Sequence, residues 1–121
     1  MGSDRAPYPE VQGALRAARE LDLEIELVGD RARLEAELAV AGRTSGDRVS
    51  IVQAAARCRA PGDRHRTARA IQIGGALLAG VTKPVVIAHG RSDANAMVSA
   101  IRAAARFAER RLPDALAAAL A

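Results

Sequence analysis

The stretch VVIAHGRSDANA, residues 85–96, is apolar at its start and then passes through His-Gly straight into Ser, Asp and Asn. Val85 to Ala88 after Pro84 predict a strand buried on both faces, and Ser92 or Asp93 predicts the N-cap of the helix that follows. Strand, tight turn and helix start in succession make a ligand site. The same order occurs earlier in EIELVGD, where Ile25, Leu27 and Val28 predict a short strand and Gly29-Asp30 a turn whose Asp caps a helix RARLEAELAVA ending at Gly42.

Around these two units the periodicities complete an α/β order. Val11, Leu15, Ala18 and Leu21 recur at helical spacing, so a first helix begins near Pro9 and runs to about Leu23. Arg48 to Gln53 alternates Val49, Ile51 and Gln53 against Ser50 and Val52, which predicts a strand. From Ala54 to Ile73 no apolar period is sustained, which predicts a loop or linker, and the Gly74-Gly75 pair in IQIGGALLAG suits close backbone approach. A last long helix is expected from about Ser92 to Leu112 with Val98, Ile101, Ala105, Ala108 and Leu112 as its apolar stripe, interrupted by Pro113 before a final helical piece. Helix and strand alternate, which predicts a single α/β domain with a small, mostly parallel sheet and crossover helices. Ligands of such sheets sit beyond the carboxyl ends of strands, so VGD at 28–30 and AHG at 88–90 are expected to share one face.

With aromatic content of 2% and no Trp, the core has to come from aliphatics, and tight packing has to replace large anchors. The net charge of +4 and pI near 10.5 come almost wholly from arginine, since Lys83 is the only lysine. Such a balance suits an anionic partner, such as a phosphorylated substrate or a membrane surface, or simply solvated helix faces. Nucleic acid is not expected, because neither stacking aromatics nor a reader motif accompanies the charge. One cysteine excludes an internal disulfide and suits a reducing compartment. Met1 to Gly13 does not read as a signal peptide and no apolar run approaches ~20 residues. A cytoplasmic location is expected, at most peripheral to a membrane.

In AHGRSDAN, Gly90 permits close approach of a ligand, and the amides that start the helix at Ser92 offer donors to an anion. His89 then donates to that anion or protonates a leaving group, with Arg91 beside it. The blander reading is that His89 ends a strand and Ser92 caps a helix. A nucleophilic triad is disfavoured because His89, Ser92 and Asp93 lie within one turn with no second carboxylate to orient the imidazole. Two distant histidines give no metal-ligand spacing, and Cys58 between Arg57 and Arg59 is a lone thiol. In MGSDRAP, Gly2 and Asp4 form a strand-to-helix loop with Asp4 placed to orient a ligand or a helix end.

MGSDRAPYPEVQGALRAARELDLEIELVGD resembles the amino-terminal signature of the bacterial phosphate acyltransferases of phospholipid synthesis: Met-Gly-Gly-Asp, Ala-Pro, a Gly-Ala helix and a Leu-Val-Gly-Asp turn. GGALLAGVTKPVVIAHGRSDANAMVSAIRAAARFAE resembles the carboxy-terminal segment of the same family, with its Gly-Gly-Ala, aliphatic strand and Ala-His-Gly-x-Ser turn. The likeness covers residues 1 to about 53 and about 71 to 109, with 54–70 standing where the family carries a large central region and Ser3 in place of the second Gly. It implies a partial version of that family's fold and transfer of a fatty acyl group from acyl carrier protein to inorganic phosphate, with no cofactor. It further implies a homodimer working near the membrane. The positions it maps are Gly2, Asp4, Gly29, Asp30, Gly74, Gly75, Gly90 and Ser92 for phosphate or substrate, and His89 for catalysis. A catalytically inactive chain that binds phosphate or associates with a partner subunit is the alternative.

Overall fold

The computed structural model describes residues 5–54, 75–78 and 81–120. Helix α1 (Tyr8–Leu21) leads into β1 (Ile25–Gly29), α2 (Arg31–Val40) and β2 (Val49–Gln53). Strands β3 (Gly75–Leu78) and β4 (Val85–Ala88), then helices α3 (Ala94–Glu109) and α4 (Leu112–Leu120), complete the order. Prediction and structure agree closely on α1, β1, α2, β2 and β4.

Among the described residues, two two-stranded sheets stand where a single mostly parallel sheet was expected. β1 and β2 pair in parallel, Ile25 opposite Val49 through Gly29 opposite Gln53, and the crossover between them is α2. β3 and β4 pair antiparallel, Gly75 opposite Ala88 through Leu78 opposite Val85. The reason is chain length: only residues 79–84 join β3 to β4, whereas a parallel return needs roughly a dozen residues or more. β4 is also not buried on both faces, because Val85 and Ile87 remain 40% and 41% exposed. Two strands with a helix on one side leave the other side open.

Helix α1 is the centre of the molecule. Its Val11, Leu15 and Ala18 meet Leu34 and Leu38 of α2 and Val49 of β2, with Ile25, Leu27 and Ile51 of the parallel pair closing over them. Burial of an aliphatic side chain of this size stabilises by roughly 1.5–3 kcal/mol, so this cluster, free of aromatics, is the main apolar contribution of the amino-terminal half. The opposite face of α1 packs on α3. A Cβ added at Gly13 would collide with the Cβ of Met97 and sit 3.1 Å from the Ala94 carbonyl, so glycine is what lets the two helices meet. Further along the same face, Arg16 donates to Asn95 at 2.7 Å and Arg102 to Glu20 at 3.2 Å. In α3 the buried positions are Val98 and Ala100, while Ala108, expected on the apolar stripe, is exposed.

The polar loop between α2 and β2 is fixed by one residue. Asp47 accepts from the Arg19 guanidinium at 2.6 and 2.7 Å and from the Thr44 amide and hydroxyl at 2.7 and 3.0 Å. Its side chain is only 5% exposed, and the Arg19 guanidinium with the Thr44 amide holds its carboxyl well below the usual carboxylate range. At the far end, the break between α3 and α4 falls at Arg110 and Arg111, the latter with φ of 49°. Pro113 therefore sits in the first turn of α4, where its missing N–H costs nothing.

Candidate functional site

Both predicted strand-to-helix turns form, and they use the same local device. Asp30 is extended at the N-cap of α2 and its carboxylate accepts from the Arg33 amide at 3.2 Å. Asp93, not Ser92, is the N-cap of α3, accepting from the Ala96 amide at 2.8 Å. The pair does not share one cavity. Gly90, Arg91, Ser92, Asp93 and Ala94 line a cavity of about 290 Å³ whose facing wall is Arg5, Tyr8 and Pro9. Gly29 and Asp30 line another of about 210 Å³, walled by Ala6, Pro7 and Glu10 together with Leu27, Val28, Arg33 and Leu34. The segment entering α1 stands between them.

Segment 5–10 is held from several sides. The Tyr8 amide donates to the Arg5 carbonyl at 3.1 Å, and the Arg33 guanidinium donates to the Ala6 carbonyl at 3.3 Å. Packing of Gly13 against Ala94 and Met97 then places the first turn of α1 beside the first turn of α3. Two chain segments remote in sequence are thereby fixed as opposite walls of the 90–94 cavity.

The two helix starts differ in what remains for a ligand. At α2 the first amide, that of Arg31, is taken by the Gln53 side chain at 2.9 Å. At α3 the amides of Ala94 and Asn95 have no acceptor among the described residues. Those donors and the Ser92 hydroxyl make the α3 side the one suited to an anion.

His89 is exposed just after β4 and is not among the residues lining that cavity. Its Nδ1 accepts from the Arg91 amide at 3.1 Å, so in the neutral ring the proton is on Nε2, which is left as the outward donor. The Ser92 amide donates to the His89 carbonyl at 2.9 Å and closes the turn. Gly75 is one strand away, opposite Ala88, and its need for glycine is packing: an added Cβ would meet Val86 Cγ1 at 2.7 Å and the Ile87 carbonyl at 2.8 Å. Gly29 is the last residue of β1 and faces Leu34 at 3.2 Å from such a Cβ. Gly2, Asp4 and Gly74, also expected at the site, lie outside the described residues. Sequence reasoning missed Arg5 and Tyr8 as partners of the 90–94 turn; the Ala-Pro motif next to them was the only local signal.

The match to a family model falls on this half of the chain. Residues 63–114 match the family described as "Fatty acid synthesis protein". Proteins named "Phosphate acyltransferase" are similar over shorter stretches: one from Citrifermentans bemidjiense is 54% identical over 39 residues, 32% of this chain and 11% of that protein. One from Crocosphaera subtropica is 58% identical over 38 residues, 31% of this chain and 11% of its own length. Over these stretches the chain is similar to proteins named phosphate acyltransferase. A third relative, from Acidobacterium capsulatum, is 45% identical over 56 residues, 46% of this chain and 17% of that protein, so the matched stretches span a small part of these relatives' length. No solved structure matches the chain. Among the described residues, no helix is long and apolar enough to cross a membrane.

Proposed function

We propose that the chain acts in phosphate acyltransfer, moving a fatty acyl group from the thioester of acyl carrier protein to inorganic phosphate. The observation that carries this reading is the 90–94 turn, on the segment that matches the family described as "Fatty acid synthesis protein", walling a cavity with open helix amides and a hydroxyl. A phosphate oxygen attacks the thioester carbonyl carbon, the carbon–sulfur bond breaks, and the products are an acyl phosphate and the thiol of the carrier. Phosphate is already a nucleophile at neutral pH and a thiolate leaves readily, thiols having pKa values of ~8.5, so no serine or cysteine nucleophile is needed. The protein supplies alignment and donors for developing charge. Gly90 and Ser92 bound the phosphate, His89 donates from Nε2 to the carbonyl oxygen as negative charge develops on it, and the departing thiolate takes its proton from water.

In this reading Gly2, Asp4, Gly29, Asp30, Gly74 and Gly75 are further substrate- or phosphate-binding positions, within a single α/β domain of residues 1–121 whose two family-like segments meet at 54–70. A homodimer, a peripheral location at a membrane and a cytoplasmic setting belong to the same proposal.

The test is release of carrier thiol from an acyl carrier protein thioester with and without phosphate, for wild type and His89→Ala. Phosphate-dependent release that falls about a hundredfold in the variant is expected. Release indifferent to phosphate, or none from folded protein, would reject the reading. A second reading, an inactive association module, is favoured by one observation: Val28 and Val52, cross-strand partners on the open face of the parallel pair, are 68% and 43% exposed. Inactive protein that self-associates in sedimentation would support it.

A further inference from the structure

We infer that Arg5 and Arg91 form a two-sided guanidinium clamp that gives the 90–94 cavity its affinity for phosphate; this rests on the acyltransfer reading for its physiological ligand. The argument starts from the sign of the charge in the cavity. Asp93 places a carboxylate in the wall, already engaged with the Ala96 amide, and that charge opposes an anion entering beside it. The amides of Ala94 and Asn95 do not outweigh it, because a helix end carries only about half an elementary charge. The two arginines of the lining do: among the described lining residues, two guanidiniums against one carboxylate leave one unit of positive charge.

These two arginines are also free to act. The ion pairs of the described residues engage Arg16, Arg19, Arg31, Arg48, Arg102 and Arg111, and neither Arg5 nor Arg91 is among them. Their backbones are nonetheless anchored, Arg5 through its carbonyl to the Tyr8 amide and Arg91 through its amide to His89 Nδ1. One comes from the entry to α1 and the other from the β4–α3 turn, so they reach the cavity from opposite walls. A planar fork on each side matches an oxyanion with several acceptor oxygens, and the Ser92 hydroxyl completes the set.

The experiment is titration of the full chain with inorganic phosphate, followed by amide shifts of residues 90–95 in ¹H–¹⁵N spectra, with sodium chloride at matched ionic strength as control. Saturable shifts with phosphate and not with chloride are expected. Arg5→Gln and Arg91→Gln should each weaken binding about tenfold, the double variant should abolish it, and Arg5→Lys and Arg91→Lys should restore part of it; spectra of the apo variants verify the fold. Equal affinity in the Gln variants, or equal shifts with chloride, would overturn the clamp. Failure of the clamp and of the acyltransfer reading are separable. Phosphate binding that depends on both arginines without thiol release leaves the clamp standing and removes the reaction, whereas phosphate-dependent release unchanged in the double variant removes the clamp alone.

Discussion

The turn entering α2 and the turn entering α3 are built alike and differ in use. Each follows a strand, each is capped by an extended Asp, and each cap accepts from the third helical amide. At α2 the neighbouring strand β2 delivers Gln53 onto the first amide, and the cavity beside it is lined largely by Pro7, Leu27, Val28 and Leu34. At α3 no described strand offers such a residue, and the facing wall brings Arg5 and Tyr8 instead. A strand, a turn and an Asp therefore specify a helix start. Whether that start is closed or open to a ligand is decided by a residue from elsewhere in the fold.

The largest expected effect separates the two turns. Gly13→Ala puts a methyl group into Met97 and against the Ala94 carbonyl, so the first turn of α3 has to move away from α1. A loss of about 2 kcal/mol of stability is expected, read by chemical denaturation. Amide exchange should rise in α3 and at residues 90–95 more than in α2, and phosphate shifts should weaken. Equal exchange at both helix starts would mean that the α1–α3 contact does not hold the open turn.

The second effect falls on the other half. Asp47 is held below the ordinary carboxylate range by Arg19 and Thr44, so the ionised form is favoured in the folded protein. The sign follows: this contribution is complete above the unfolded carboxylate pKa of about 3.9 and is lost as pH falls from there toward the depressed value. Wild type should therefore lose Tm steeply on acidification below about pH 4, and Asp47→Asn should start from a lower Tm at neutral pH with a shallower acid slope. Half exposure of Arg19 keeps the effect below that at Gly13 and makes it sensitive to salt. The α3 turn should be indifferent to this substitution.

Much of this architecture was legible in the chain, for identifiable reasons. Val11, Leu15 and Ala18 repeat at helical spacing, and Asp30 precedes a helical run, so α1 and α2 follow from local pattern. β3 was not, because Gly74-Gly75 hides a strand whose glycine answers to Val86 and Ile87 across the ladder. The importance of Gly13 was likewise hidden, since a lone glycine in a helix reads as a local cost and its benefit lies in α3. At the site, AHGRSD stood out on its own, and Gly90 and Ser92 do line the cavity, whereas His89 turns its ring to the Arg91 amide outside that lining. Arg5 and Tyr8 could not be read as their partners, because pairing across the cavity is set by the α1–α3 packing.

The smallest effect tests the comparison most directly. If Gln53 is what closes the α2 turn, Gln53→Ala should leave the Arg31 amide without its acceptor. The cost in stability should be modest, about 1 kcal/mol, since the amide at an exposed helix end can turn to water. The informative readout is chemical. The α2 turn would then offer a free first amide beside an Asp cap, as α3 does, but with Glu10 and Asp30 lining its cavity and Arg33 committed to the Ala6 carbonyl. A lining largely of Pro7, Leu27, Val28 and Leu34, with its one guanidinium engaged, makes a poor setting for an anion, so phosphate should shift residues 90–95 and still leave 30–34 unmoved in the variant. Phosphate shifts appearing at 31–33 would show that open amides suffice, and the difference between the two turns would then rest on Gln53 alone and not on the arginines.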